Sequence, residues 1–395
     1  MDKESKQEPA HPVVEAAAAL VPVIEQSRDA ISRERGLPGV LIDGMRAAGL
    51  FQLSLPSELG GLELHPQVAF SAVEILSRAE GSVGWCASIS SSVSLFAGGW
   101  LPNEVGREIF GSPPDARTAG SVRAEGTARI VPGGYEVTGR WDFASGINHA
   151  RWMFCTCMIE NDEGVMRHRS GNPVTRSLMI PREKVSLVDT WHVTGLEGTG
   201  SHDFVVAGVF VPERHTFWLG DPPTASGLLY HARLGMLSAW TTTAATSLGI
   251  ARGALDAMGE LGAQATTMST VALRDRPRVQ QAVGEAEAIL GGARAFLLGS
   301  VNDAWDAVAS NAAPGEIGPA VARARLAITH AQSEAVRVVD RLFHAAGTNA
   351  VYRAHRLERC FRDAHVAKQH AAGQPSHIET AGRALLGIEL NQPGW

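Results

Sequence analysis

The stretch Ala128-Arg129-Ile130-Val131-Pro132-Gly133-Gly134-Tyr135-Glu136-Val137 contains two short runs in which apolar and polar side chains alternate. Such alternation is typical of β-strands, because successive side chains of a strand point to opposite faces. The Pro-Gly-Gly sequence between the runs favours a tight turn, so the whole stretch predicts a β-hairpin. Because the segments on both sides have helical patterns, this hairpin divides the chain and decides the class of fold.

Further strand-like runs follow the hairpin, and glycine, proline or aspartate bounds each of them. They cover residues 152–159, 175–180, 185–188 and 202–211. This spacing is typical of a sandwich or barrel of about 100 residues. We therefore predict an all-β middle domain over residues 116–216.

Helical patterns dominate the segment before the hairpin. An apolar stripe with helical spacing runs to Ile24, Pro38 marks the start of a second helix, and residues 68–78 predict a third. Residues 1–12 are charged and contain two prolines, which is typical of a loose tail. We therefore predict a helical domain over residues 13–115.

The pattern becomes helical again after the Pro222-Pro223 linker. Alanine-rich periodic runs with short breaks predict four or five long helices, which cover residues 228–261, 277–310, 317–346, 351–372 and 378–390. Consecutive long helices with short connections favour an antiparallel bundle, which we place over residues 226–395. The sequence has no βαβ alternation and no Gly-x-Gly-x-x-Gly after a strand, so a Rossmann domain is not expected.

The composition restricts the possible partners. The 395 residues are 45% apolar, which is typical of a globular protein with a large core. The net charge of -6 gives no basic surface for nucleic acid or for anionic membranes. The four cysteines lack the paired spacing of a zinc site, so no metal site is expected. No secretory signal opens the sequence, which favours a cytoplasmic protein with reduced thiols.

One segment has the length of a membrane span. Residues 82–101 carry no charge over twenty positions, as a membrane-spanning helix requires. Six serines and three glycines make the segment too polar for a confident insertion. It is therefore predicted as a buried helix, and no membrane partner is expected.

Several short strings occur in an order that carries a resemblance. They are Gly84-Trp85-Cys86-Ala87-Ser88, Gly139-Arg140-Trp141-Asp142-Phe143-Ala144-Ser145-Gly146, Gly195-Leu196-Glu197-Gly198-Thr199-Gly200-Ser201-His202-Asp203, Val211-Pro212 and Arg362-Asp363. Together they resemble the acyl-CoA dehydrogenase superfold over nearly the whole chain. The resemblance implies an α+β fold with an N-terminal helical domain, a middle β-barrel or sandwich, and a C-terminal antiparallel helix bundle.

Two features narrow the resemblance. Trp-x-Phe-x-Ser-Gly, followed by Asp189-Thr190-Trp191 and Gly-Thr-Gly-Ser, is similar to the two-component flavin-dependent monooxygenases of this fold, such as the p-hydroxyphenylacetate, seco-steroid and polyketide hydroxylases. In acyl-CoA dehydrogenases whose base lies on the last helix, a catalytic Glu follows the Arg-Asp pair by about two turns. This chain has His370-Ala371-Ala372-Gly373 there. The monooxygenases resemble it in placing a histidine there, close to the C4a–N5 edge of the flavin.

The resemblance implies the oxygenase component of a two-component monooxygenase. It would take reduced FMN or FAD from a separate NAD(P)H:flavin reductase by diffusion, and react with O2 through a C4a-hydroperoxyflavin to hydroxylate an aromatic or polyketide-like small molecule. Such an adduct needs a dry cavity and hydrogen bonds to survive. A histidine can donate to the peroxide near neutral pH, so His370 is the first catalytic candidate. Ser145, facing N5 or O4, is expected to be the second donor.

Further residues are expected to surround the flavin. Trp85 and Phe143 are candidates for the walls of the ring site, because aromatic faces stack on a flat ring. Trp141 is a further candidate for a wall of the ring site, but a position in the protein core suits it nearly as well. Backbone amides and carbonyls of Ala144 and Ser145 are expected at the pyrimidine edge. The remaining cofactor candidates are Gly120, Ser121 and Val122 on the neighbouring strand, Gln369 beside His370, and the pair Gly347 and Thr348. The turn that contains this pair either approaches a phosphate of the cofactor or only links two helices.

Other polar residues near His370 favour structural roles. On a continuous helix, His365 would lie about 140° from His370 around the axis, so the two would not share a ligand. Arg362 and Asp363 fit an ion pair between helices or subunits. The fold also implies a homotetramer, in which the flavin touches the turn at Gly347 at a subunit boundary.

The sequence leaves the substrate open. Several phenol hydroxylases of this family carry a histidine that helps deprotonate the phenol, roughly where this chain has Val93. The substrates that fit are a polyketide-like phenol, an amine destined for N-hydroxylation, or a compound bound through His149 or His192. An acyl-CoA dehydrogenase-like FAD oxidoreductase with a relocated base is the alternative in another reaction class. The third hypothesis is a catalytically inert, flavoprotein-like binding or scaffold protein that would bind neither redox form of flavin tightly.

Overall fold

The computed structural model describes residues 11–263, 265–266 and 269–388. The predicted tail over residues 1–12 lies outside these residues except for its last two, and the first helix already begins at Pro12. His11 caps this helix, since its Nδ1 accepts a hydrogen bond from the amide of Val13 at 3.2 Å. The first helix therefore begins one residue before the predicted start of the helical domain at residue 13.

Helices make up the chain before the sheet. They are α1 (Pro12–Glu34), α2 (Gly39–Ala47), α3 (Pro66–Ala79), α4 (Gly81–Trp100) and α5 (Asn103–Phe110). Val13, Ala17 and Ile24 of the predicted apolar stripe are buried residues of α1. Pro38 directly precedes α2, as its fixed φ favours at a helix start.

Helix α4 is the buried centre of this part of the chain. Almost all of its residues are buried, which accounts for the absence of charge along it. Gly84 permits the close approach of α3, because a Cβ at this position would lie 1.8 Å from Ser77 Oγ. In the described part of the chain, no helix is long and apolar enough to cross a membrane.

Strands follow between Thr118 and Phe217. They are β1 (Thr118–Val131), β2 (Gly134–Trp141), β3 (Trp152–Asn161), β4 (Gly164–Val165), β5 (Thr175–Pro181), β6 (Ser186–Val188), β7 (Asp203–Pro212) and β8 (Thr216–Phe217). They form one mixed sheet in the order β6-β7-β2-β1-β3-β5-β8, with β4 paired to β3. The predicted hairpin is confirmed, since Ile130 pairs with Tyr135 and Val131 pairs with Gly134.

Strand β1 organises the sheet because it has β2 on one side and β3 on the other. It runs antiparallel to β2 and parallel to β3, so the segment over residues 142–151 crosses over β1. The register against β3 shifts between Ser121 and Ala124. This irregularity accompanies a Val122 side chain that is 61% exposed. The crossover segment carries Phe143 and Ser145, and it therefore places both at one end of the sheet.

The remainder is helical apart from a short hairpin. The elements are α6 (Gly235–Leu261), β9 (Ala265–Thr266) paired with β10 (Ser269–Ala272), α7 (Pro277–Ala309), α8 (Pro314–Ala346), α9 (Arg356–Ala367) and α10 (Ser376–Leu385). Helices α7 and α8 agree closely with the predicted runs. The run over residues 351–372 contains a shorter helix than predicted. Residues 389 and 390 of the last predicted run lie outside the described part of the chain.

Apolar side chains from both ends of the chain share one core. The largest cluster joins buried residues of α1, α3 and α4, such as Phe70, to residues of α7 and α8, such as Leu297 and Leu342. The sheet has a separate core around Trp141, which is fully buried and stacks on Phe204 at 5.2 Å between ring centroids. The predicted order of helical, β and helical segments is confirmed, whereas the exact domain boundaries stay predictions.

Candidate active site

His370 follows the end of α9 and does not lie on a helix. It immediately precedes a short 3-10 turn at Ala371–Gly373. The turn is tight because a Cβ at Gly373 would lie 2.5 Å from the carbonyl oxygen of Lys368. The expectation that His365 and His370 lie on one continuous helix is therefore wrong.

Side chains of α8 hold this turn in place. Thr329 donates a hydrogen bond to the carbonyl oxygen of Ala372 at 2.8 Å. Gln332 Oε1 lies 2.6 Å from the position that a Cβ of Gly373 would occupy. Thr329 and Gln332 are both buried, so α8 fixes the backbone that positions His370.

The imidazole of His370 is a neutral hydrogen-bond donor. Its Nδ1 accepts from the amide of Ala372 at 3.2 Å, so the proton of the neutral ring lies on Nε2. Burial lowers the pKa of His370 to about 4, because a charged ring would lose its hydration. The ring meets the indole of Trp85 edge to face, with centroids 5.4 Å apart. Among the described residues Nε2 has no acceptor, so it can donate to a ligand.

Ser145 also contacts Trp85, and it belongs to a chain of hydroxyl groups. Trp85 Nε1 donates to Ser145 Oγ at 3.1 Å. Ser145 Oγ lies 2.7 Å from Ser201 Oγ, which lies 2.6 Å from Thr199 Oγ1. Thr199 Oγ1 donates to the carbonyl oxygen of Leu196 at 2.8 Å. All of these residues are buried. The structure therefore brings both predicted catalytic residues to the same tryptophan.

The loop that carries Ser145 is strained and closed on the loop before β7. Phe143 has a φ of 58°, in the left-handed region that costs a non-glycine residue about 1 kcal/mol or more. The amide of Ala144 donates to the carbonyl of His202 at 3.1 Å, and the amide of Ser145 donates to the carbonyl of Phe143 at 2.8 Å. Both amides therefore have acceptors within the protein, and the expected contact of the Ala144 and Ser145 backbone with the pyrimidine edge of the flavin stays a prediction. The side chain of Phe143 is 56% exposed.

The three candidates on β1 differ in what they present. A Cβ at Gly120 would lie 1.9 Å from the carbonyl oxygen of Phe154, so the close approach of β3 explains this glycine. Ser121 is buried, and its Oγ accepts from the amide of Arg123 at 3.4 Å. Of the three, Val122 is the one whose side chain is exposed.

Gln369 and the turn at Gly347 lie outside the group around Trp85. The side chain of Gln369 is exposed, and its Nε2 donates to the carbonyl of His365 at 3.3 Å. The turn over Gly347–Ala350, which contains Thr348, follows the end of α8. It is about 20 Å along that helix from Gln332, at the usual rise of 1.5 Å per residue. Within one chain, this turn is therefore remote from the His370 loop.

A partly buried ionic cluster joins α9 to Glu80, directly before α4, and to the loop before β7. Asp363 Oδ1 accepts from the amide of Leu196 at 2.6 Å. Arg359 pairs with Glu80 at 2.9 Å, and Arg362 pairs with two carboxylates at 2.7 and 3.3 Å. Burial, and then the negative charge of Glu80, raise the pKa of Asp363 above its usual range. These contacts agree with the structural roles that the sequence suggests for Arg362 and Asp363.

The histidines considered for substrate binding have different surroundings. His149 packs against Phe51, with ring centroids 5.5 Å apart, and burial lowers its pKa to about 4. His192 is largely exposed and lies 3.5 Å from Asp189. Neither of them contacts Trp85 in the way that His370 does.

Sequence reasoning missed the roles of Thr199 and Ser201. The Gly-Thr-Gly-Ser string contains both residues, but in the sequence it indicated only the resemblance to the monooxygenases. Their hydroxyl groups meet Ser145 because the two loops are joined, for example by the hydrogen bond from the amide of Gly146 to the carbonyl of Thr199 at 2.8 Å. The sequence feature that could have indicated this contact is the presence of hydroxyl residues in both strings, residues 139–146 and 195–203.

Comparison with known families defines the class of protein. Residues 11–98 match the family described as "Acyl-CoA dehydrogenase, N-terminal domain", and residues 241–375 match "Acyl-CoA dehydrogenase, C-terminal domain". The predicted fold class is therefore confirmed as acyl-CoA dehydrogenase-like.

Individual relatives narrow this class. "Indole-3-acetate monooxygenase" of Pseudomonas putida is 34% identical over 90% of this chain and 88% of its own length. "Flavin-dependent monooxygenase, oxygenase subunit HsaA" of Mycobacterium tuberculosis is 32% identical over 94% of each protein. The crystal structure of 3-HSA hydroxylase from Rhodococcus sp. RHA1 superimposes with a TM-score of 0.85 at 27% identity, covering 98% of this chain and 99% of that chain. The chain belongs to the flavin-dependent monooxygenases of the acyl-CoA dehydrogenase fold, as the resemblance implied.

Proposed function

We propose that this chain, in the cytoplasm, binds reduced FMN or FAD and uses O2 to hydroxylate an aromatic or polyketide-like small molecule. An NAD(P)H:flavin reductase supplies the flavin by diffusion. The observation that carries the proposal is the pair of polar atoms at Trp85, namely Nε2 of His370 and Oγ of Ser145. A dehydrogenase with its base at this place would need a carboxylate, and His370 stands beside that position instead.

The residues around Trp85 fit a flat ring with polar edges. The exposed ring of Phe143, two residues before Ser145, offers an aromatic face, and its strained backbone is typical of ligand sites. His370 Nε2 has a proton to donate, and Ser145 Oγ retains a lone pair. Trp141 does not belong to this group, because it is fully buried and its Nε1 donates to the carbonyl of Thr156 at 3.0 Å.

The side chains of this site place one hydrogen-bond donor and one acceptor, and they exclude water. When bound, reduced flavin supplies two electrons and two protons, and the substrate supplies the other two electrons, so that one atom of O2 enters the substrate and the other leaves as water. His370 is neutral at pH 7 and keeps its proton on Nε2, so it can donate a hydrogen bond to a reacting oxygen without adding a charge to the site. The buried hydroxyl chain behind Ser145 keeps bulk water away from this side of the site.

The surroundings of Val93 bear on the substrate. Val93 is 6% exposed and packs in an apolar cluster with Leu95 and Phe96, so this position supplies no base for a phenol. We therefore favour an aromatic substrate whose oxidation needs no base from α4. The P. putida relative is named for indole-3-acetate, which supports an aromatic ring as the target.

We also propose that the flavin site is completed at a subunit boundary in a homotetramer. The turn at Gly347 is remote from His370 of its own chain, and this distance leaves Gly347 and Thr348 available to the flavin of a second chain. Sedimentation of the purified protein should give a tetramer. A monomer at micromolar concentration would contradict this assembly.

The colour of the purified protein and an oxygen assay test the proposed reaction. We expect nearly colourless protein that binds reduced FMN or FAD without air, and that consumes O2 and hydroxylates an aromatic compound when a generic flavin reductase and NADH are added. Yellow protein whose bound FAD is bleached by an acyl-CoA would show a dehydrogenase instead. Protein that binds neither redox form of flavin would contradict both reactions.

A further inference from the structure

The hydroxyl chain behind Ser145 has a direction that the carbonyl at its far end determines, and the indole at the near end is compatible with it. Each hydroxyl group carries one proton and can donate one hydrogen bond. At one end, Thr199 Oγ1 faces the carbonyl oxygen of Leu196 at 2.8 Å, and a carbonyl can only accept. At the other end, the indole N–H of Trp85 faces Ser145 Oγ at 3.1 Å, and an indole nitrogen can only donate.

The direction of each inner hydrogen bond follows from the carbonyl end. Because the proton of Thr199 is used on Leu196, Ser201 Oγ donates to Thr199 Oγ1 at 2.6 Å. Because the proton of Ser201 is then used, Ser145 Oγ donates to Ser201 Oγ at 2.7 Å. Ser145 accepts from Trp85 and has donated its own proton. It therefore offers a lone pair to a ligand and has no proton left to give.

Buried contacts hold the carbonyl of Leu196 in its place at the end of the chain. Leu196 has a φ of 51°, in the left-handed region that favours glycine. Its amide donates to Asp363 Oδ1 at 2.6 Å, and its carbonyl also accepts from Trp191 Nε1 at 3.1 Å. Asp363 thus acts on Ser145 through the backbone of Leu196 and through Thr199 and Ser201.

The two redox states of flavin differ at the atom that Ser145 is expected to face. N5 of reduced flavin carries a hydrogen and can donate, whereas N5 of oxidised flavin is an acceptor. We propose that Thr199 and Ser201 are positioning residues that turn the Ser145 hydroxyl into an acceptor, so that the site prefers reduced over oxidised flavin. This inference rests on the proposed function, and it reverses the donor role that the sequence suggested for Ser145.

Such a preference suits an enzyme that receives its flavin by diffusion. The reduced form must bind in the presence of oxidised flavin, and the oxidised form must leave after each turnover. A reversed hydroxyl chain would make Ser145 a donor to oxidised N5, which would favour retention of the spent cofactor. The loop before β7 thus sets which redox state is held.

Thr199→Val and Thr199→Ser form a matched pair for the test. Valine has nearly the shape of threonine but no hydroxyl, so Ser201 loses its acceptor and can donate to Ser145 instead. The proton of Ser145 then becomes free to donate to oxidised N5. Serine keeps the hydroxyl and therefore the direction of the chain. Ser201→Ala removes the acceptor of the Ser145 proton directly, and this variant replaces Thr199→Val in the test if Thr199→Val does not fold.

The measurement is the ratio of the Kd of oxidised FMN to the Kd of reduced FMN, taken without air, together with the midpoint potential of bound flavin. We expect Thr199→Val and Ser201→Ala to lower the ratio about tenfold, the effect of one hydrogen bond. This corresponds to a midpoint potential about 30 mV lower for a two-electron couple. Thr199→Ser should retain the wild-type ratio within about twofold.

The outcomes separate this inference from the proposed function. If the wild type hydroxylates with a reductase but Thr199→Val and Ser201→Ala keep its ratio, the direction of the hydroxyl chain does not set the preference. A wild type that hydroxylates but binds oxidised FMN as tightly as reduced FMN also overturns the inference. A wild type that binds no flavin, or that is bleached by an acyl-CoA, refutes the proposed function itself.

Discussion

Trp85 is contacted by two polar side chains that the protein supports in opposite ways. Ser145 lies in a chain of buried hydroxyl groups in which every proton has an acceptor. His370 has its Nδ1 occupied by the amide of Ala372, and its Nε2 proton has no acceptor within the described residues. One side of the site can therefore only accept a hydrogen bond from a ligand, and the other can only donate one. The comparison shows that roles which residue types leave open are decided by the groups behind them.

Removing the donor should have the largest effect. His370→Ala is expected to fold and to lower the yield of hydroxylated product about 100-fold, with hydrogen peroxide released in its place, because the reacting oxygen loses its hydrogen-bond donor. Product and peroxide are measured against O2 consumption with a flavin reductase and NADH. His365→Ala is the control, since His365 pairs with Asp340 at 2.9 Å. If His370→Ala formed as much product per O2 consumed as the wild type, His370 would not be the donor to the reacting oxygen.

Displacing the turn that carries the donor should have the next largest effect. Gly373→Ala would place a Cβ 2.5 Å from the carbonyl oxygen of Lys368, so it should lower the free energy of unfolding by about 1–3 kcal/mol. Urea unfolding measures this change. Gly291→Ala in α7 is the matched control, because no atom lies within 4 Å of its added Cβ. Equal stability in the two variants would show that the turn tolerates a side chain.

Lowering the pH should change the stability contributions of His370, on the donor side, and Asp363, behind the acceptor side, in opposite directions. Burial lowers the pKa of His370 from its ordinary 6.5 to about 4, so the unfolded chain binds its proton first. Its part of the stability is present above pH 6.5 and is lost as the pH falls towards 4. His370→Asn should therefore lose less stability than the wild type between pH 7 and pH 5, as measured by urea unfolding. A steeper loss in this variant would contradict a buried neutral ring.

Asp363, behind the acceptor side, should behave in the reverse way. Its pKa is raised by burial, so the folded chain binds its proton more tightly than the unfolded chain does. This carboxyl therefore weakens the fold as the pH rises through the weakly acid range towards its raised pKa. Asp363→Asn keeps an oxygen for the amide of Leu196 and should gain stability relative to the wild type as the pH rises. The same slope in both proteins would show that Asp363 titrates normally.

A change far from both sides should have the smallest effect. Glu136→Gln breaks an exposed ion pair with Arg129 on the hairpin, and exposed pairs contribute about 0.5 kcal/mol or less. Thermal unfolding should show a small change, and the yield of product should equal that of the wild type. A loss comparable to that of Gly373→Ala would mean that surface charge, rather than strand pairing, stabilises the hairpin.

The sequence predicted the elements well because periodic patterns are local. The hairpin at Ile130 and Tyr135, the buried helix α4 and the long helices α7 and α8 all appear as expected. The end of α9 before His370 was not predictable, because it depends on Gly373 meeting Lys368 and Gln332 in the folded bundle. Alanine and glutamine around His370 favour a helix that tertiary contacts do not allow to continue.

Part of the candidate site was predictable in its residues, but its hydrogen bonds were not. Trp85, Ser145 and His370 lie together as the resemblance implied. The amides of Ala144 and Ser145 turned out to be occupied, because the loop folds back on itself and on His202. The direction of a hydroxyl chain depends on which carbonyl lies at its end, and no local pattern contains that information.

The core that α1, α3 and α4 share with α7 and α8 has a consequence for synthesis of the protein. The first helices leave the ribosome long before the helices that cover their apolar faces exist. The sheet, which has its own core around Trp141, is complete in between. We therefore expect the sheet to fold while translation continues, and the nascent first helices to depend on chaperones until α8 emerges.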